Sequence, residues 1–367
     1  MKNEFILNDK KFRAFCIYRL LFGISYSIMI PIIPLFFKSI GMETVTIGMV
    51  ISLYGVSKTI MQIPFGIVCD KIGDKLTLKL ALLLMGLVPI GYILSNTSLQ
   101  AGSLYVIQGA ILGMAAPATY SVLARTLNVK RRGECTGLAS AVFTLGGGIG
   151  AAIASFILTK LNNFSMAFNI SSLGIFFTLI YVIIRVNKVK PMKNKDNKKE
   201  SIKEILYEIR RREFVCKIII LSSSAFLGDY IYSCVVALIH FYGQDVLHVS
   251  TSYTSSIISV YLLVFGLGAP IAGWVSDKIG NKKQLLYSFF TMNFTLLGLI
   301  ITRNVTIFTI IIILYFLGAT YLNASVQSCL SEFGSYPKIK GFVFGVVGAS
   351  ESLGYAVGPL VSSYIYE

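Results

Sequence analysis

Four ionisable residues, Arg19, Lys58, Asp229 and Glu351, sit well inside stretches of apolar residues. Burying such a charge costs at least ~2.5–3.5 kcal/mol on membrane-insertion scales, so each needs a physical reason to be there. A carboxylate at Asp229, near the middle of a long apolar run, could hold a cationic ligand or carry a proton. A hydrogen-bonded core role is the alternative. Lys58 precedes Asp70 by 12 residues and Glu351 follows Gly341 by 10. At 1.5 Å per residue those offsets are ~18 and ~15 Å, so the two charges match in depth. The matched depths would allow an ion pair between Lys58 and Glu351, either static or one that breaks and re-forms. Arg19 is close enough to its helix end to snorkel to the headgroups; a substrate or proton role is the alternative. Tyr26, Gln108 and Tyr230, with Tyr54, Tyr120, Tyr261, Tyr321 and Asn323, could line an amphipathic pocket or simply pack.

The elements that must position these groups follow from composition. Of 367 residues 55% are hydrophobic and 14% charged, and mean hydropathy is +0.73. A soluble chain of this length needs more charge to cover its surface. The apolar residues form runs near 14–37, 46–68, 77–95, 99–124, 134–159, 164–186, 214–242, 251–275, 284–302, 305–330 and 341–364. Each is about the ~20 residues that cross a bilayer, and in lipid such a run must be helical because every backbone amide needs an internal partner. The expected fold is therefore an all-α polytopic membrane protein with 11 transmembrane helices. The net charge of +16 follows topology: with the N-terminus inside, 28 of the 33 Lys and Arg fall in inside segments. That is the positive-inside pattern, and it argues against a nucleic-acid face. The six cysteines show no ligand spacing and read as free thiols. The first run is too long for a signal-peptide core.

The chain also repeats itself. Gly66-Ile-Val-Cys-Asp70-Lys71-Ile72-Gly73-Asp74-Lys75 returns 207 residues later as Gly273-Trp-Val-Ser-Asp277-Lys278-Ile279-Gly280-Asn281-Lys282. Gly137, Gly146 and Gly150 return at Gly345, Gly354 and Gly358. Six runs separate each pair, an even number, so two parallel six-helix repeats are expected. The domains are then an N-terminal bundle over 1–186, a cytoplasmic linker over 187–212 and a C-terminal bundle over 213–367, which lacks a counterpart of the sixth helix, so that a twelfth helix is missing. Within the linker, Lys188–Lys199 reads as flexible. Ser201-Ile-Lys-Glu204 forms a capping box before an amphipathic helix carrying Ile202, Ile205, Leu206 and Ile209 on one face.

The doubled glycine–aspartate–basic signature, with the six-plus-six parallel repeat and long central loop, resembles the major facilitator superfamily. The physics of the signature is readable. Gly66 and Gly273 permit close helix approach, Gly73 and Gly280 a tight turn with positive φ. Asp70 and Asp277 suit a neighbouring helix N-terminus. The resemblance implies that Asp70 latches onto the start of the eleventh run near Gly341, and Asp277 onto the start of the fifth near Gly133, with Lys71, Lys75, Lys278 and Lys282 completing the two signatures. The fifth run resembles the antiporter signature of drug exporters through Gly137, Gly146 and Gly150. The family's proline there is Ala151, while Pro359 follows Gly358 in the eleventh run. Plain helix packing is the other reading of these glycines. Tyr105 stands where proton-coupled relatives carry an arginine. Pro31 and Pro34 resemble the proline-bearing first helix of drug exporters.

The resemblance implies a secondary transporter working by alternating access, with proton-coupled export of a hydrophobic or cationic compound preferred. Uptake of a sugar or organic acid, and a non-transporting sensor or scaffold, are the alternatives. There is no HExxH, no paired His/Cys metal spacing, no nucleophile–base set and no GxxxxGK[ST] loop, so an enzyme, a metal site and direct use of ATP are disfavoured. No cofactor is expected. The expected partners are a small-molecule substrate, the lipid bilayer and protons, the expected state a monomer, and the expected location the plasma membrane with the N-terminus cytoplasmic.

Overall fold

The computed structural model describes residues 8–127, 131–161, 163–186, 202–249 and 251–366. Among these the secondary structure is helical throughout. The helices are α1 (Lys10–Ser27), α2 (Ile32–Ser39), α3 (Thr44–Ile72), α4 (Asp74–Leu94), α5 (Ser98–Thr126), α6 (Arg132–Leu161) and α7 (Phe164–Arg185). They are followed by α8 (Ile202–Arg211), α9 (Val215–Asp245), α10 (Thr251–Ile279), α11 (Asn281–Ile301), α12 (Val305–Glu332) and α13 (Lys340–Tyr366). Among the described residues, 8 helical segments are long and apolar enough to cross a membrane. Large apolar side chains such as Phe294 (80% exposed) and Ile301 (79%) cover their outer faces, as a lipid-solvated surface requires.

The first apolar run differs from expectation. It is not one helix but two, α1 and α2, with a turn over 28–31. Pro31 and Pro34 have no amide proton, and their rings clash with the carbonyls four residues back, so the ladder breaks just before Pro31. Met29 N bonds to Tyr26 O at 3.1 Å and Ile32 N to Met29 O at 3.0 Å, bridging the interruption. The signature segments are also more helical than a loop. Asp70 lies in the last turn of α3 and Asp277 in that of α10. The breaks fall at single glycines, Gly73 (φ 95°) and Gly280 (φ 89°), each joining two helices. A side chain at that φ would be strained.

Contacts divide the chain into two compact units. The first comprises Met1–Thr126, Val142–Ile218 and Phe333–Ala349; the second comprises Leu127–Ala141, Ile219–Glu332 and Ser350–Glu367. The first turns of α13 thus pack with the first unit, and those of α6 with the second. In the first unit an aromatic knot of Phe36, Phe37, Tyr92, Phe164 and Phe168 ties α2, α4 and α7 together. In the second, Met292, Phe308, Ile312, Tyr315 and Phe316 form the core between α11 and α12. The amphipathic helix α8 buries Ile205 and Ile209, while Ile202 and Leu206 on the expected apolar face remain exposed. Ser201 of the capping box and the Lys188–Lys199 segment lie outside the described residues.

Candidate functional site: two aspartate-capped helix starts

A helix leaves its first amide protons without internal partners, and its dipole draws negative charge to that end. Two such ends are met by carboxylates from distant helices. In the first unit, Asp70 at the end of α3 accepts the Gly341 amide through both oxygens, at 3.0 and 2.9 Å, and that of Phe342 at 3.3 Å. In the second unit, Asp277 at the end of α10 accepts the Gly133 amide at 2.9 Å and the Glu134 amide at 3.0 Å. Both aspartates therefore meet the helix starts named from the sequence.

Glycines make this approach possible. A Cβ on Gly66 would strike the Gly341 carbonyl oxygen, and one on Gly341 would strike that of Gly66. Gly273 and Gly133 stand in the same mutual relation, and Gly137 abuts the Ala269 carbonyl. Further along, Gly146 and Gly150 let α6 cross the backbone of α1 at Leu20 and Ile24. Gly354 and Gly358 let α13 cross α9 at Phe226 and Tyr230. The side chain of Pro359 lies outside the described residues. Among the basic signature residues, Lys278 stacks on the Trp274 ring at 3.8 Å, Lys71 and Lys282 are exposed, and Lys75 is half-buried.

Beside Asp70 lies a buried ionic cluster that the sequence reading missed. Asp74 is 2% exposed, pairs with Arg125, and stands 3.6 Å from the Lys340 ammonium. Ser121 donates to Asp74 at 2.7 Å, and Lys340 donates to Ser121 at 2.7 Å. The repeat held a signal for it. At the same offset of 207, Asp74 becomes Asn281 and Arg125 becomes Glu332, so both members of the pair change together. Asn281 accordingly meets Ser276, and its amide reaches Glu332 at 3.5 Å.

The intramembrane residues are only partly brought together. The Arg19 guanidinium lies over the Phe143 ring at 4.1 Å. A weakly hydrated guanidinium stacks well on an aromatic face, which supplies the reason. Tyr26 and Tyr54 share a hydrogen bond of 2.8 Å, and Tyr92 donates to the buried Gln108 at 2.7 Å. Tyr105 stacks on Tyr54 at 4.6 Å. Asp229 lines a cavity in the second unit that Glu351 and Asn323 also line. Tyr230 faces elsewhere and stacks on Phe226. Tyr120 packs edge-on against Phe344, and the Tyr321 carbonyl accepts from Gln284; the side chain of Tyr261 lies outside the described residues. Lys58 belongs to the first unit and Glu351 to the second, and their pairing stands on matched depth and the family resemblance. At the surface, Glu208 of α8 pairs with Arg211 and Arg212, and the Arg212 hydrogen bond holds its carboxyl below the usual range.

These features have counterparts in known proteins. The chain is 22% identical over 344 residues to an MFS-type transporter of Methanocaldococcus jannaschii, covering 91% of this chain and 86% of that one. It is 21% identical to the quinolone resistance protein NorA of Staphylococcus aureus over 96% of this chain and 88% of that protein. Among solved structures, the human organic anion transporter MFSD10 superposes with a TM-score of 0.80 at 15% identity, covering 97% of this chain and 93% of that one. The Escherichia coli fucose:proton symporter FucP gives 0.75 at 14%, covering 96% and 91%. These relatives and neighbours are transporters, not enzymes. The profile of the Major Facilitator Superfamily matches residues 15–359, and the chain belongs to that family of multi-pass membrane transporters.

Proposed function

We propose that the chain is a secondary active transporter that exports a hydrophobic or cationic small molecule in exchange for protons. It works by alternating access, with parallel N-terminal and C-terminal repeats of six and five helices. The observation that carries this reading is the pair of aspartate caps. Each ties a helix start to a helix end far away in sequence, Asp70 to α13 and Asp277 to α6. Such contacts are few, polar and glycine-lined, so they can open and close as units without unpacking a core. In this reading they hold the cytoplasmic side shut and release it in the opposite state. The N-terminus is then cytoplasmic, and the basic signature residues face the inner surface. Asp229 is the proposed substrate or proton carboxylate.

The likeness to NorA supports export; the fold likeness to FucP keeps proton-coupled uptake as a second reading. Both are tested by one experiment. The full-length protein is placed in proteoliposomes with a panel of lipophilic cations, sugars and organic acids, with and without a pH gradient. Proton-driven movement of cations toward the outside face is expected. Movement of sugars or acids alone would select uptake, and no movement of any compound would favour the sensor reading.

A further inference from the structure

The apolar side of the amphipathic helix α8 is wider than the protein covers. Ile205 and Ile209 are buried, yet Ile202 (53% exposed) and Leu206 (50%), beside them around the helix, are not. Arg210 lies one turn beyond Leu206 on that uncovered side, and Lys203 and Tyr207 border it. These five residues include two bases and no acid. Glu204 and Glu208 fall on the far side, where Glu208 pairs with Arg211 and Arg212. The helix is also held at the edge of the membrane. Only three residues separate it from the apolar span that starts at Val215. The Phe214 amide bonds the Ile209 carbonyl at 3.0 Å, across a turn in which Glu213 takes φ 56°.

We propose that this face of α8 is a docking surface for the acidic phospholipid headgroups of the membrane that the chain spans. The surface does not depend on which substrate moves or in which direction. Ile202 and Leu206 meet the boundary between headgroups and acyl chains, as the apolar stripe of an interfacial helix does. Tyr207 brings an amphipathic ring of the kind that settles at that level. Arg210 and Lys203 supply the charge that selects acidic over zwitterionic lipid. The bilayer around the start of α9 is already within reach of the helix, so no further protein is needed to cover the exposed apolar stripe.

The geometry carries the effect of lipid inward. Arg212, just past the end of α8, lies over the Tyr336 ring at 5.1 Å. Phe214 packs edge-on against Tyr336 at 4.9 Å and against Phe333 at 5.4 Å. The Tyr336 carbonyl in turn accepts the Lys340 amide at 3.1 Å, and the next residue, Gly341, is the one that Asp70 holds. All of these residues belong to the first unit. Lipid that steadies α8 therefore steadies the start of α13 and its aspartate cap.

The test places the full chain, one copy per nanodisc, in phosphatidylcholine alone or mixed with an equal part of phosphatidylglycerol. Hydrogen exchange of the α8 amides is the first readout. Acidic lipid should slow it by about thirtyfold, the worth of two basic side chains at an anionic surface, and Arg210→Gln should give back about fivefold of that. High salt should erase the difference between the two lipids. Glycerol phosphate added to neutral nanodiscs should protect nothing. Equal exchange in the two lipids, or protection supplied by glycerol phosphate, would overturn the surface. Protection that arises only with two copies in one nanodisc would also overturn it and assign the face to a second copy. Maleimide labelling of Cys69, the neighbour of Asp70, reads the inward step. Acidic lipid should lower it severalfold, and Arg210→Gln should restore it. Tyr336→Ala should remove the lipid dependence of Cys69 while leaving that of α8 in place. Labelling of Cys69 that ignores lipid charge in the native chain would overturn the coupling.

Discussion

Asp70 holds Gly341 through both carboxylate oxygens, at 3.0 and 2.9 Å, and the residue before Asp70 is a buried cysteine. Cys69 is 1% exposed, and Cys135, one residue beyond the amide that Asp277 receives, is 0% exposed. Each aspartate cap thus has a native thiol as its reporter. Losing a capping side chain costs about 1–2 kcal/mol. Asp70→Ala should therefore raise maleimide labelling of Cys69 by about tenfold, since 1.36 kcal/mol is a factor of ten. Labelling of Cys135 should be unchanged, and Asp277→Ala should give the mirror-image result. Equal labelling of both thiols in every variant would show that the two caps carry no part of the closed state.

Glycine substitution separates close approach from helix propensity. A Cβ at Gly66 or Gly273 meets a carbonyl of the facing backbone, which cannot rotate away, whereas one at Gly148 meets nothing within 4 Å. Gly66→Ala and Gly273→Ala should each lower stability by about 1–3 kcal/mol, the usual cost of overpacking. Gly148→Ala should be neutral or raise helix stability by up to about 1 kcal/mol. Thermal unfolding in detergent decides between them. The comparison is sharpest inside Gly146-Gly147-Gly148, where the first glycine abuts the Leu20 carbonyl and the third faces open space.

Much of this was legible in the sequence, and the reasons are specific. Run length and the polar cost of lipid dictated helices, so α3 to α7 and α9 to α13 fall within a few residues of the apolar runs. The family resemblance carried by the signature doubled at an offset of 207 pointed to Gly133 and Gly341. Three features escaped. Periodicity marks an apolar stretch but not the break that Pro31 and Pro34 make in it. The Arg19 side chain is long enough to go either way, and only the position of Phe143 decides. The cluster of Asp74, Arg125 and Lys340 escaped because linear sequence does not reveal that three charges on α4, α5 and α13 converge.

The corner where α8 meets α9 should respond to acid. Glu208 bonds Arg212 and Arg211, and Arg212 also lies over the Tyr336 ring at 5.1 Å. Its carboxyl is held below the ordinary range by the Arg212 hydrogen bond. The stabilisation is therefore complete above the unfolded value of about 4.3 and is lost as pH falls through the lower folded value. Being exposed to solvent, the pair contributes less than about 1 kcal/mol. Hydrogen exchange of the α8 amides, corrected for intrinsic rates, should accelerate across that acidic window in the native chain but not in Glu208→Gln. An identical acceleration in both would place the sensitivity elsewhere.

The buried cluster around Asp74 makes the strongest single demand on one side chain. One carboxylate faces two cations, Arg125 and Lys340, and Ser121 bonds to both Asp74 and Lys340. The Nε and Nη1 atoms of Arg125 are buried and have no hydrogen-bond partner among the described residues, where Asp74 is the carboxylate that pairs with the guanidinium. Asp74→Asn should leave two buried positive charges facing each other and cost about 3–5 kcal/mol, the usual result of removing one partner from a buried pair. Lys340→Met should cost less, because Arg125 and Asp74 then balance one for one and the methionine chain preserves the packing. That variant should nevertheless raise Cys69 labelling, since Lys340 is the residue before Gly341 and its removal frees the start of α13 on a second side. The exchange of Asp74 for Asn and Arg125 for Glu transplants the pair found at Asn281 and Glu332, and with Lys340 retained it again sets one acid against one base. Its unfolding midpoint should recover most of what Asp74→Asn loses. A double variant as unstable as the single one would mean that shape, rather than charge balance, governs this cluster.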